Sequence, residues 1–149
     1  MKVTTIVLNG IEITLRLTAS GLVAYAEAIG TAGNSFFAIM DALDDIQKQG
    51  RLFTAALTYK DNNNPVTDGL QLIDMMADAD WDPVKKKELI VQLAQKSGVV
   101  GNVDAARLLA AIRSGTEKLY DTAVAILSGD MSNLENDTQN AEEPAENPT

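Results

Sequence analysis

Three carboxylates at alternate positions, Asp78, Asp80 and Asp82, come closer to a metal chemistry than any other spacing in this chain. Alternating acids open an EF-hand calcium loop, where oxygen ligands surround the ion. The pattern then stops: Pro83 stands where the sharp turn needs glycine, and Leu89 stands where the bidentate glutamate is required. Read as local structure, Asp82-Pro83 is an N-cap followed by proline at the first helical position. Asp44-Asp45 is a second acidic pair. Neighbours on a helix point about 100° apart, so the pair reads as a solvated helix face and not as an acid–base couple. Gly98-Val-Val-Gly101 lacks the lysine and hydroxyl of a phosphate loop and reads as a helix end plus a linker.

The chain has no histidine and no cysteine, which excludes thiolate nucleophiles, thiolate or imidazole zinc sites and histidine-based triads. No catalytic residue, metal ligand or cofactor-binding residue is therefore expected, and the function is expected to be one of binding. One cluster fits that role: Trp81 with Met75 and Met76, residue types enriched where a surface adapts to an apolar partner. The same residues at helical spacing also suit a core.

Charge narrows the partners. Twelve Lys and Arg stand against 21 Asp and Glu, a net −9, and affinity for nucleic acid needs clustered cations. The one basic run, Lys85-Lys86-Lys87, lies early in a predicted helix close to Asp80, Asp82 and Glu88 and reads as a solvated face. There is no 18-residue apolar stretch and no signal-peptide core near Met1, so a cytoplasmic protein without membrane contact is expected.

The elements that must position these residues are mainly helical. Ile11, Ile13, Leu15 and Leu17 alternate along a strand, and Asn9-Gly10 before them favours a type I′ turn. A two-residue loop pairs Leu8 with Ile11, Ile6 with Ile13 and Thr4 with Leu15, so both strands turn apolar faces the same way. Such a hairpin is marginal alone and needs cover. From Thr18, a plausible N-cap, the period changes to 3.6 and Leu22, Tyr25, Ala26 and Ile29 share a face up to Gly30. A second helix is predicted from Phe36 through Ile46, closed by Gly50, and a short third over Leu52–Leu57 before the turn-forming run Asp61-Asn-Asn-Asn-Pro65. Thr67 caps a fourth, Asp82 a fifth that runs to Ser97-Gly98, and helical spacing returns over 103–113 and 115–128, with Ser114-Gly-Thr-Glu117 as a capping box at a kink.

The expected architecture is mainly α with a small N-terminal β-hairpin, one compact domain over 1–128. Residues 103–128 read either as its last helices or as a separate C-terminal extension. Residues 129–149 carry six acids and no base and too few apolar side chains to offset their ordering entropy, so a disordered acidic tail is expected. Without those six charges the remaining chain carries only −3.

A hairpin ending in Leu15-Arg-Leu-Thr18, the Leu52-Phe-Thr-Ala-Ala-Leu57 helix before a turn, the Leu72-Ile-Asp74 helix and a helix ending at Ser97-Gly98 together resemble the tail assembly chaperones of long-tailed bacteriophages over roughly residues 1–98. The resemblance implies a non-enzymatic protein of the host cell cytoplasm that binds the tape measure protein and keeps it soluble while the tail tube polymerises, and that is absent from the mature virion. It also implies homo-oligomers, and a longer frameshifted product that contacts the major tail protein. The lysine-free tail carries no protein-level trace of the slippery codons that such a product needs. A structural or connector protein of the particle is the alternative.

Overall fold

The computed structural model describes residues 2–31 and 33–129. The expectation of a disordered tail concerns residues that lie outside this range, Gly129 apart. Within it, strands β1 (Thr4–Leu8) and β2 (Ile11–Leu15) are followed by seven helices: α1 (Ala19–Ile29), α2 (Ser35–Ala42), α3 (Ile46–Leu57), α4 (Gly69–Asp78), α5 (Pro83–Ser97), α6 (Asn102–Ser114) and α7 (Thr116–Ser128). The class is therefore mainly α with an N-terminal hairpin.

The hairpin has the register that its turn dictates. Asn9 and Gly10 both take positive φ, 50° and 84°, as a type I′ turn requires, and Leu8 pairs with Ile11, Ile6 with Ile13 and Thr4 with Leu15. Leu8, Ile13, Leu15 and Leu17 are buried as their alternation implies, whereas Ile11, beside the turn, stays 43% exposed. The cover comes from α3, whose Ala56 carbonyl accepts the Arg16 N–H at 2.9 Å, and from the loop after it, where Asn64 docks on β2.

Thr18 caps α1, its Oγ1 accepting the Gly21 N–H at 3.0 Å, and Gly30 ends it in the left-handed conformation. The predicted second helix does not run to Gly50. It stops at Ala42, and Asp45 starts a new helix with its carboxylate accepting the Lys48 N–H at 3.1 Å. The buried Gln49 seals the break by donating from Nε2 to the Leu43 carbonyl at 3.1 Å. Asp44 and Asp45 thus lie at a helix junction and not on a mid-helix face.

Gly50 sits inside α3 because α4 crosses there. A Cβ on Gly50 would lie 2.7 Å from Leu70 Cδ2, and one on Gly69 only 1.8 Å from the Gly50 carbonyl oxygen. Thr54 locks the crossing: its Oγ1 donates to the Gly50 carbonyl at 2.9 Å and accepts the Gly69 N–H at 2.8 Å. The cap of α4 is Asp68, not Thr67, with its carboxylate 3.4 Å from the Leu70 amide.

Asp82 and Pro83 start α5 as expected, the Asp82 carboxylate accepting the Lys85 N–H at 2.8 Å, and Gly98 ends it with positive φ. At Gly115 (φ 124°, ψ 165°) the chain breaks into two helices and Ser114 Oγ donates back to the Ala110 carbonyl at 3.0 Å, while the Glu117 side chain of the expected capping box lies outside what the structure describes. One apolar cluster runs from the hairpin through α5 into α6, where Ala105, Leu108, Ala111 and Ile112 join it, so α6 packs as part of the same core.

Candidate functional site

The three residues singled out from sequence are brought together by the way α4 ends. Asp80 adopts a left-handed conformation (φ 62°), the Trp81 N–H donates to the Met76 carbonyl at 3.0 Å, and the Asp80 N–H donates to the Ala77 carbonyl at 3.0 Å. That pair of bonds defines a Schellman ending with aspartate in the place usually taken by glycine. It folds Trp81 back beside α4. Met76 points into the core at 1% exposure, so it supports the cluster from below and offers no surface. Met75 and Trp81 are half-buried and pack on the same core.

Trp81 is roofed. Capping by Asp82 sets the first turn of α5 and brings Lys85 Nζ to 4.5 Å from the Trp81 ring centroid, a cation–π distance. The basic run is therefore not uniformly solvated: Lys85 covers the indole and Lys87 Nζ reaches Asp44 at 3.2 Å. Lys86 is held below the usual lysine pKa, first by burial and then by its neighbour Lys87. Asp82 and Asp80 act as cap and turn residues, and no group of three or more potential ligand side chains gathers among the described residues.

Sequence reasoning missed another apolar surface, where α7 meets the α2 region. Phe37, Met40 and Leu43 from the α2 region and Tyr120, Ala123 and Val124 from α7 line a groove of about 120 Å3, with Asp41 and Asp44 also in its wall. Tyr120 and Val124 are each 64% exposed, and Leu127 and Phe37 are also exposed. Spaced i, i+4 and i+7, Tyr120, Val124 and Leu127 form one exposed stripe along α7, bordered on the groove side by buried Ala123. The signal was present in the sequence as the apolar periodicity of 116–128, but a single stripe does not say whether it faces core or solvent.

A second cleft, of about 390 Å3, separates α1 from α3 and the start of α4 and is walled largely by small side chains, among them Ala24, Ala28, Gly50 and Ala55. Tyr25 closes its floor, donating its hydroxyl to the buried Ala38 carbonyl at 2.5 Å. Burial, reinforced by Asp41 and Asp45, drives the Tyr25 pKa far above the ordinary tyrosine value, so the phenol stays a neutral donor. No helix among the described residues is long and apolar enough to cross a membrane. In comparisons with protein-family models, curated proteins and solved structures, the chain matches none.

Proposed function

We propose that this chain is a bacteriophage tail assembly chaperone, a non-enzymatic protein that binds the tape measure protein in the host cytoplasm and keeps it soluble during tube assembly. The observation that carries the reading is the exposed stripe of Tyr120, Val124 and Leu127 beside Phe37. A long helical client that has not yet been enclosed presents amphipathic faces, and a strip one helix wide accepts such a face through i, i+4, i+7 contacts. A strip of four side chains gives weak, reversible contacts, which suits a protein that must leave. Many copies along one client, in contact with each other, would supply avidity that single sites lack.

The excess negative charge supports the same role, because a covered client that repels its neighbours resists aggregation. The Trp81 and Met75 surface is a second contact area in this reading, while a frameshifted longer form that reaches the major tail protein rests on the resemblance to the family. The test is co-expression with the product of the longest reading frame downstream of the gene. The expected result is that the long protein becomes soluble and co-elutes with this chain; unchanged solubility with no co-elution removes the proposal. Mass spectrometry of purified particles separates the alternative, since a stoichiometric amount of this chain in the virion would make it a structural or connector protein.

A further inference from the structure

A third cavity, of about 340 Å3, lies between β1, the β2–α1 junction and the last turn of α5. It differs from the other two in its charge. Lys2, Arg16 and Lys96 line it and no acid does, in a chain of net −9. Lys96 Nζ donates to the Val3 carbonyl at 3.0 Å, which anchors one cation beside β1 and leaves two of its N–H groups to point elsewhere. Lys2 and Arg16 form no ion pair with any described residue. Ala19, the first residue of α1, stands in the same wall, at the helix end whose leading N–H groups have no partner within the helix.

A second observation, independent of the charges, is Thr4. It lines the cavity at 7% exposure, and its hydroxyl is buried with no hydrogen-bond partner. An orphaned buried hydroxyl destabilises the fold, and valine at that strand position would avoid the cost. We propose that this cavity binds a phosphate group, free or as the phosphoryl end of a larger molecule. Donors converge on it from three elements, and a tetrahedral oxyanion with several acceptor oxygens satisfies them better than a planar carboxylate does. This site stands apart from the α2–α7 strip and does not depend on the chaperone reading.

Titration of the full chain with inorganic phosphate at constant ionic strength, followed by amide NMR, tests the site. Saturable shifts centred on Thr4 and on residues 16–20 are expected, with acetate at the same ionic strength leaving those amides in place. The double variant Lys2→Gln/Arg16→Gln, confined to side chains at the rim, should keep its melting temperature and bind phosphate about tenfold more weakly or worse. Thr4→Val should raise the melting temperature and still weaken binding several-fold. The proposal is overturned if phosphate gives no saturable shift there, if acetate shifts the same amides equally, or if either variant binds as the native chain does.

Discussion

Asn64 pairs with Thr14 as a strand residue would: its Oδ1 accepts the Thr14 N–H at 2.8 Å and its Nδ2 donates to the Thr14 carbonyl at 2.7 Å. The same Nδ2 also donates to the Leu57 carbonyl at 2.9 Å, so one side-chain amide ties the edge of β2 to the end of α3. Thr14 Oγ1 and the Tyr59 hydroxyl, 2.8 Å apart, continue the seam. The hairpin edge, which would otherwise leave unpaired backbone groups, is closed by a loop side chain.

Replacement of Asn64 follows from this geometry. Asn64→Ala leaves the Thr14 pair and the Leu57 carbonyl unsatisfied and should cost about 2–4 kcal/mol by denaturant unfolding. Asn64→Asp keeps the acceptor, loses both donors and sets a carboxylate against two carbonyls. It should be at least as destabilising at pH 7 and recover part of the loss as the acid is protonated. A change below about 0.5 kcal/mol in either would show that the loop is held by other contacts.

At the α3–α4 crossing, Gly69→Ala places a methyl 1.8 Å from a backbone oxygen that no rotamer change can move away. The expected loss is about 3 kcal/mol or more, whereas Gly50→Ala, which meets the mobile end of Leu70, should cost less. Equal and small effects in chemical denaturation would contradict the close approach.

Tyr25 couples stability to alkaline pH. Its folded pKa lies above the unfolded value near 10. The unfolded chain therefore releases the phenolic proton first, and the contribution present below about pH 10 is lost as pH rises beyond it. Tyr25→Phe should lower stability at pH 7 by about 1–2 kcal/mol through loss of the Ala38 bond and should flatten the decline above pH 10. A variant whose alkaline slope matches that of the native chain would assign the decline to another group.

The two apolar surfaces make different predictions for client binding. Val124→Glu puts a charge in the centre of the exposed α7 stripe and should reduce client solubilisation several-fold with little change in melting temperature, since the side chain is mostly in solvent. Met76→Ala removes a core side chain and should lower stability by about 2–4 kcal/mol instead. If Val124→Glu solubilises the client as the native chain does, the stripe is not the contact.

What was legible in the sequence was local. The Asn9-Gly10 turn, the hairpin register it imposes, the Thr18 and Asp82 caps and the Gly30 and Gly98 stops all depend on residues within one turn of each other. Gly50 was misread because a glycine marks a helix end and a close helix crossing alike, and only the position of Gly69 decides between them. The break at Asp45 is sealed by Gln49, a polar residue whose burial no periodicity reveals. Asp80 in a glycine role hid the fold-back that brings Trp81 onto α4.

The sequence by itself determined the absence of histidine and cysteine chemistry, the helical class and the hairpin, because composition and short-range periodicity set these. The tertiary structure alone decided which apolar stripe stays exposed on α7. It also decided that Asn64 closes an edge 50 residues away and that Lys96 reaches the Val3 carbonyl, just before β1, across 93 residues. Such contacts depend on how whole faces are buried against one another, and a pattern of residues along the chain names the faces without naming their partners.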